Sequence, residues 1–223
     1  MWGLPVKRRT SPRQTPRRRG RPAGGGGQAK ILTPTEITRV DKCLKGMRNE
    51  HRNRALFYLQ LATGVRVGEL AALNVGDVLH GKTIRREFNL GTADTKYCKP
   101  RTIYLDHPKA REAVLTYLRE RNEDLAFKSR EPLFVGQKEN AAGSTRVSAN
   151  SLAHLFITIY QAAGIVGASS HSGRRWFMTE LARGGVHPRI IQQRAGHTSL
   201  ATTQRYIEIT PDQERRALRV LKF

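Results

Sequence analysis

The 223-residue sequence predicts an α+β fold, mainly α-helical with a small antiparallel β-sheet. Three observations predict it. Apolar residues recur at helical spacing along most of the chain, as Ile37, Val40, Leu44 and Met47 do. Helix-start signals recur too, at Thr33-Pro34-Thr35-Glu36, His107-Pro108, Pro188 and Pro211. The period changes to that of strands across residues 82–105, where two segments, 82–88 and 101–105, flank a polar turn region at 94–99.

In chain order, the first helix starts with Thr33 as N-cap, Pro34 at its first position and Glu36 completing a capping box. A second helix covers about 51–63, and Gly64 stops it. A short helix covers about 67–73. After the two strands, a helix restarts at Pro108 and runs to about 122. Residues 131–136 hold a short strand or turn. A helix follows over 148–163, with Leu152, Leu155, Phe156 and Ile159 facing inward. Further helices cover 172–182, 188–194 and 200–206, and Pro211 opens the last, to about 220. No internal repeat is present.

Composition narrows the function. The chain carries 40 Lys+Arg against 18 Asp+Glu, a formal charge of +22. Such a surface points to a polyanionic partner, nucleic acid first and an anionic membrane second. A hydrophobic fraction of 38% supports a real core and excludes a fully disordered chain. No apolar run is long enough to span a bilayer, and arginines and prolines follow the first residues where a signal peptide would be apolar. The expected location is the cytoplasm, associated with the nucleoid. Cys43 and Cys98 have no metal-like spacing and form no disulfide framework. No metal site and no cofactor are expected.

The charge is uneven. Residues 1–29 hold Lys7, Arg8, Arg9, Arg13, Arg17, Arg18, Arg19 and Arg21, no acid, four prolines and the run from Gly24 to Gly27. This segment has little to bury and reads as a disordered basic arm. Arg8, Arg9, Arg17, Arg18, Arg19 and Arg21 are candidates for DNA-backbone contact; a merely solubilising leader is the plainer alternative. The folded domain covers residues 30–223.

Three stretches place cations and a phenol near helix ends. In Thr63-Gly64-Val65-Arg66-Val67-Gly68-Glu69-Leu70, Arg66 sits at a break between helices, free to point into a groove. Alone it reads as a surface arginine in a helical turn. In His171-Ser172-Gly173-Arg174-Arg175, His171 and Arg174 share one face of a helix start, where both can donate to one phosphate. Arg175 points elsewhere, to the surface or a DNA backbone. In Gly196-His197-Thr198-Ser199-Leu200, followed by Thr202-Thr203-Gln204-Arg205-Tyr206, a histidine and a tyrosine flank a short helix. A core tyrosine and a loop-bonded histidine are the plain alternatives.

Taken together, Arg, then His-x-x-Arg, then Gly-His, then Tyr form an ordered set that none of the stretches forms alone. The sequence resembles the catalytic domain of the tyrosine recombinase, or phage integrase, family from about Lys30 to Phe223. The Thr-Gly-x-Arg-x-x-Glu-Leu, His-x-x-Arg and Ala-Gly-His…Tyr pieces carry the resemblance. The family also places a lysine in its β-hairpin. Lys96 aligns with it, because it precedes the turn while Arg101-Thr102-Ile103-Tyr104-Leu105 resembles the returning strand; Lys99 is the rival.

The resemblance implies a site-specific DNA recombinase with the family's breaking-and-rejoining fold. Tyr206 would attack the scissile phosphate and form a 3′-phosphotyrosyl link. Arg66 and Arg174 would neutralise the phosphorane, His171 and His197 would hydrogen-bond it, and Lys96 would protonate the leaving 5′ oxygen. Glu69 would orient a cationic site residue. Lys99, Arg101 and Arg175 are further DNA-backbone candidates. The implied partners are double-stranded DNA with short inverted-repeat core sites, a homo-tetramer on two such sites, and an accessory DNA-bending protein. An apolar C-terminal end, Leu218, Val220, Leu221 and Phe223, would dock on a neighbouring protomer. Family members carry a core-binding domain ahead of this one, whereas only about 30 unfoldable residues precede the match here, so a minimal enzyme, a truncated gene and an isolated domain all remain open. A recombinase-derived DNA-binding accessory protein with little turnover is the alternative; a type IB topoisomerase-like enzyme or a basic RNA-binding protein fits the residues less well.

Overall fold

The computed structural model describes residues 28–91, 100–136, 143–207 and 211–219. The helices are α1 (Pro34–Leu44), α2 (Glu50–Thr63), α3 (Val67–Ala72) and α4 (Val75–Val78), then α5 (Pro108–Arg121), α6 (Ala149–Ala162), α7 (Ser172–Arg183), α8 (Pro188–Ala195), α9 (Leu200–Gln204) and α10 (Pro211–Leu218). Between α4 and α5 lie β1 (Leu79–His80), β2 (Thr83–Ile84), β3 (Glu87–Leu90) and β4 (Arg101–Tyr104).

The helix starts follow the capping chemistry. The Thr33 hydroxyl accepts from Glu36 N at 3.2 Å, and Thr33 N donates to the Glu36 carboxylate at 2.9 Å. These bonds satisfy donors that the first turn of α1 would leave unpaired. Gly64 ends α2 at φ +63, and a Cβ there would stand 2.3 Å from the Phe177 ring. Both the backbone conformation and the close approach therefore call for glycine.

The expected single small sheet is two antiparallel hairpins. β1 pairs with β2, and β3 pairs with β4 with Glu87 opposite Tyr104 and Leu90 opposite Arg101. The expected strand at 82–88 is divided at Arg85 and Arg86, where the chain changes partner: Arg85 N donates to Val78 O beside β1, whereas Arg86 O accepts from Leu105 N beyond β4. The turn region at 94–99 lies outside the described residues. Helix α4 was not legible as hydrophobic periodicity in so short a segment. Its signal is the Asn74-x-x-Asp77 pair, in which Asn74 N donates to Asp77 Oδ2 at 2.7 Å. Residues 131–136 contribute isolated bridges, Pro132 to Asn74 and Val135 to Arg146. Leu155 is only partly buried, while Leu152, Phe156 and Ile159 are fully so. α9 stops at Gln204, which leaves Tyr206 on the turn beyond it.

α2 is the central helix. It is buried around most of its girth, packed against α5 and α7. Phe57, Leu59, Leu70, Val114, Leu118, Phe156 and Tyr160 form the main core with it. A smaller cluster, Met178, Ala182, Ile191 and Ala195, joins α7 to α8, and Phe177 and Tyr206 lean on it. That second cluster holds the C-terminal part of the site against the first. Among the described residues, no helix is long and apolar enough to cross a membrane.

Candidate active site

The site forms where α2, α3, α7 and α8 end or begin together. Because Gly64 turns the chain, Arg66 becomes the N-cap residue of α3. Glu69, one turn into α3, accepts from Arg66 N at 2.7 Å and from Arg66 Nη1 at 3.1 Å. Arg66 Nη2 reaches across to Gly196 O at 3.2 Å. Its side chain keeps 32% exposure, so part of the guanidinium faces solvent.

Arg174 lies in the first turn of α7 and is only 5% exposed. Nη1 donates to Gly64 O at 2.6 Å, and Nη2 donates to Ala195 O. The side chain thus ties the end of α2 to the end of α8. Burial first, and then the neighbouring Arg66 charge, lowers its pKa to about 10. It is still a cation at neutral pH.

His171 is the N-cap of α7. The residue as a whole is exposed, yet its imidazole is lowered from the usual value, first by loss of water around the ring and then by the Arg174 and Arg66 charges. His197 follows Gly196, which ends α8 in the left-handed conformation at φ +62. Its Nδ1 stands 2.9 Å from Thr203 Oγ1. Burial, then Arg174, Arg66 and Arg101, pushes its pKa down to about 4. Both imidazoles are therefore neutral at pH 7, able to accept a proton at one ring nitrogen and to donate from the other.

Tyr206 lies against His197, ring centroids 6.1 Å apart and planes at 21°. The Arg175 guanidinium carbon lies 5.6 Å from the Tyr206 ring centre. Arg175 had been expected at the surface or on a DNA backbone. It instead spans from the tyrosine to the segment before α1, donating to Ala29 O and, at 2.6 Å, to Gln28 Oε1.

Arg101 also departs from expectation. A DNA-backbone role needs an accessible guanidinium, but its side chain is 6% exposed and forks onto Glu69 at 2.9 and 2.7 Å. The reason lies in β4: the strand points this residue inward, toward the only nearby carboxylate that α3 offers among the described residues. Burial alone would raise the Glu69 carboxyl, but the Arg101 fork and then Arg66 outweigh it and hold its pKa at about 2.

The structure thus brings Arg66, Glu69, His171, Arg174, His197 and Tyr206 together. Lys96, Lys99, Arg8, Arg9, Arg17, Arg18, Arg19 and Arg21 lie outside the described residues. Sequence reasoning missed Thr203 and Gln60. Gln60 is fully buried and donates to Ser170 O at 2.8 Å, just ahead of His171. A Cβ on Gly173 would come within 2.5 Å of its Oε1. An amide inside the otherwise mainly apolar run 55–62 was the available signal for Gln60. Thr203 had none, since its role depends on the fold of the turn. A cleft of about 720 Å³ opens beside the site, lined by Arg101, Tyr104, Arg189, Arg194, His197 and Thr198 among others.

Arginines from three segments and two neutral imidazoles thus gather around Tyr206. The chain belongs to the phage integrase family, which it matches over residues 30–213. It is 33% identical over 168 residues to the tyrosine recombinase XerC of Corynebacterium efficiens, a match covering 75% of this chain and 50% of that protein. The crystal structure of XerA recombinase superposes with a TM-score of 0.67 at 24% identity, covering 89% of this chain and 68% of the other. The Tn1549 transposon integrase in complex with transposon right-end DNA gives 0.67 at 20% identity, covering 86% and 66%. These superpositions establish the shared fold. The chain spans about half the length of the curated relatives it matches.

Proposed function

We propose that this domain cleaves and rejoins DNA strands as the catalytic part of a site-specific recombinase. The observation that carries the reading is the convergence of Arg66, of His171 with Arg174, and of His197 around Tyr206 from three separate segments.

In this reading the Tyr206 oxygen attacks the scissile phosphorus, and its proton passes to a neutral imidazole, His171. The new P–O bond forms as the bond to the 5′ oxygen breaks. Lys96 or Lys99 supplies the proton that leaves with that oxygen as a 5′-hydroxyl. Arg66 and Arg174 neutralise the phosphorane, and His197 donates to it. One phosphoester replaces another, so the bond energy is retained in the 3′-phosphotyrosyl link without ATP. A 5′-hydroxyl from a second strand reverses the chemistry and reseals the backbone. Integration, excision, inversion and resolution all use this step.

The substrate in this proposal is double-stranded DNA with short inverted-repeat sites, held by a tetramer on two duplexes with an accessory DNA-bending protein. Leu218 on α10, 67% exposed, supplies an apolar contact for a neighbouring protomer. The basic arm adds phosphate contacts.

The test is trapping of covalent protein–DNA adducts under denaturing conditions, on DNA that includes the flanks of the gene, with sequencing of the attached ends. Adducts with the wild-type chain and none with Tyr206→Phe, at undiminished DNA affinity, are the expected result. Adducts that persist in Tyr206→Phe overturn the nucleophile. Tight binding without adducts from either chain favours the DNA-binding accessory protein instead.

A further inference from the structure

Glu69 occupies a position that the reaction above does not use directly. Its carboxylate is 2% exposed and receives four hydrogen bonds, two from Arg66 and two from Arg101. Arg101 has a second contact. A Cβ on Gly196 would lie 2.9, 3.1 and 3.3 Å from its Nη1, Cζ and Nε. Three guanidinium atoms at nearly equal distance mean that the Gly196 backbone rests on the flat face of the cation. Gly196 O in turn accepts from Arg66 Nη2, and His197 follows directly in the chain. Arg101 therefore touches both supports of the phosphate site, the Arg66–Glu69 turn and the Gly196–His197 turn, from a third segment, β4.

We propose that Arg101 is a positioning residue for strand cleavage, which sets the Arg66 guanidinium through Glu69 and the His197 turn through Gly196. This rests on the reading of the site as a phosphodiester-cleaving centre. The residue type follows from the contacts. A planar fork matches both carboxylate oxygens and leaves a flat face for a backbone without a side chain. A lysine has the charge but neither the fork nor the face. A DNA-backbone role would require Arg101 to leave a buried carboxylate without its main counter-charge.

The experiment uses Arg101→Lys, Glu69→Gln, and the double variant Glu69→Gln with Arg101→Met, which leaves no buried unpaired charge. Single-turnover adduct formation is measured at saturating duplex, and Kd is measured alongside. Arg101→Lys is expected to slow adduct formation by about 100-fold with Kd changed by less than about threefold. The double variant is expected to be slower than Glu69→Gln alone, but by less than the roughly 100-fold of Arg101→Lys, because with the carboxylate gone only the route through Gly196 is left to lose. On a duplex with a methylphosphonate at the mapped scissile position, the Arg101→Lys defect is expected to shrink below about tenfold, since an uncharged group needs less cationic compensation. An equal defect on both duplexes overturns the proposal in favour of a general structural role. A retained rate with weakened Kd and a salt slope lower by about one overturns it in favour of a phosphate contact.

Amide exchange reads the positioning without any reaction. In Arg101→Lys, the amides of residues 67–70 and 196–198 are expected to exchange at least about tenfold faster, with those of α5 and α6 unchanged. Unchanged exchange in both segments overturns the proposal. A wild-type chain that forms no adduct refutes the proposed function, and the exchange result still decides the role of Arg101.

Discussion

His197 Nδ1 stands 2.9 Å from Thr203 Oγ1, and the same imidazole is stacked on Tyr206 at 6.1 Å between centroids. Thr203 is fully buried. The hydroxyl holds one ring nitrogen and fixes the plane of the ring against the tyrosine. The orientation of the site histidine is thus set by the penultimate residue of α9, between the histidine and the tyrosine in the chain.

Thr203→Val keeps the shape and removes the hydroxyl. We expect it to lower stability by about 1 kcal/mol, the usual worth of such a bond, and to slow adduct formation about tenfold at unchanged Kd. Urea denaturation and single-turnover trapping check the two effects separately. An unchanged rate would mean that the stacking on Tyr206 orients the ring without the hydroxyl.

Arg174 and Arg66 have the same charge but different surroundings. Arg174 is 5% exposed and bonded to two helix-end carbonyls, whereas the Arg66 side chain is 32% exposed. Arg174→Lys is expected to cost about 2–3 kcal/mol of stability, because one ammonium cannot serve both carbonyls and the site. Arg66→Ala is expected to cost less stability while removing transition-state charge, so its rate falls by several powers of ten. Thermal denaturation alongside adduct kinetics distinguishes the two patterns.

The two depressed imidazoles predict a pH dependence. An unfolded chain protonates His197 near 6.5, whereas the folded chain resists until about 4. Between those values the unfolded state binds more protons, so stability falls as pH falls. His171, lowered in the same direction, adds to the loss. Glu69 follows at lower pH: its stabilisation is present above about 4.5 and is lost as pH falls toward about 2. That buried carboxyl alone accounts for about 3 kcal/mol. Denaturation midpoints measured from pH 7 to 3 should decline throughout. A phosphate placed between these cations raises both imidazoles, so DNA binding should take up protons and tighten below about pH 6.5. Calorimetry in buffers of different ionisation enthalpy reads that uptake directly.

Much of the fold was legible because it is governed by neighbours in the chain. The Thr33–Glu36 box, the Gly64 stop and the proline-led starts of α5, α8 and α10 act over a single turn, and the sequence contains every partner. The missed features were of two kinds. α4 spans one turn, too short for periodicity to register. The division of the expected strand at residues 85–86 arises from a change of pairing partner, from β1 to β4, that no local pattern announces.

Arg66, His171, Arg174, His197 and Tyr206 were readable as a set through their order, which resembles that of the tyrosine recombinase family. By itself the sequence determined which residue types stand at the helix boundaries and the chemistry they can perform. The tertiary structure decided which of the cations stay open to solvent and which face the protein. Arg101 and Glu69 are 32 positions apart, Arg66 and Gly196 are 130 apart, and Arg175 reaches a residue 146 positions away. Nothing local distinguishes a guanidinium that binds phosphate from one that binds a buried carboxylate. That choice is made by packing, which turns Arg101 inward on β4 and leaves Arg66 partly open to solvent, because a buried carboxylate must find its counter-charge within the fold.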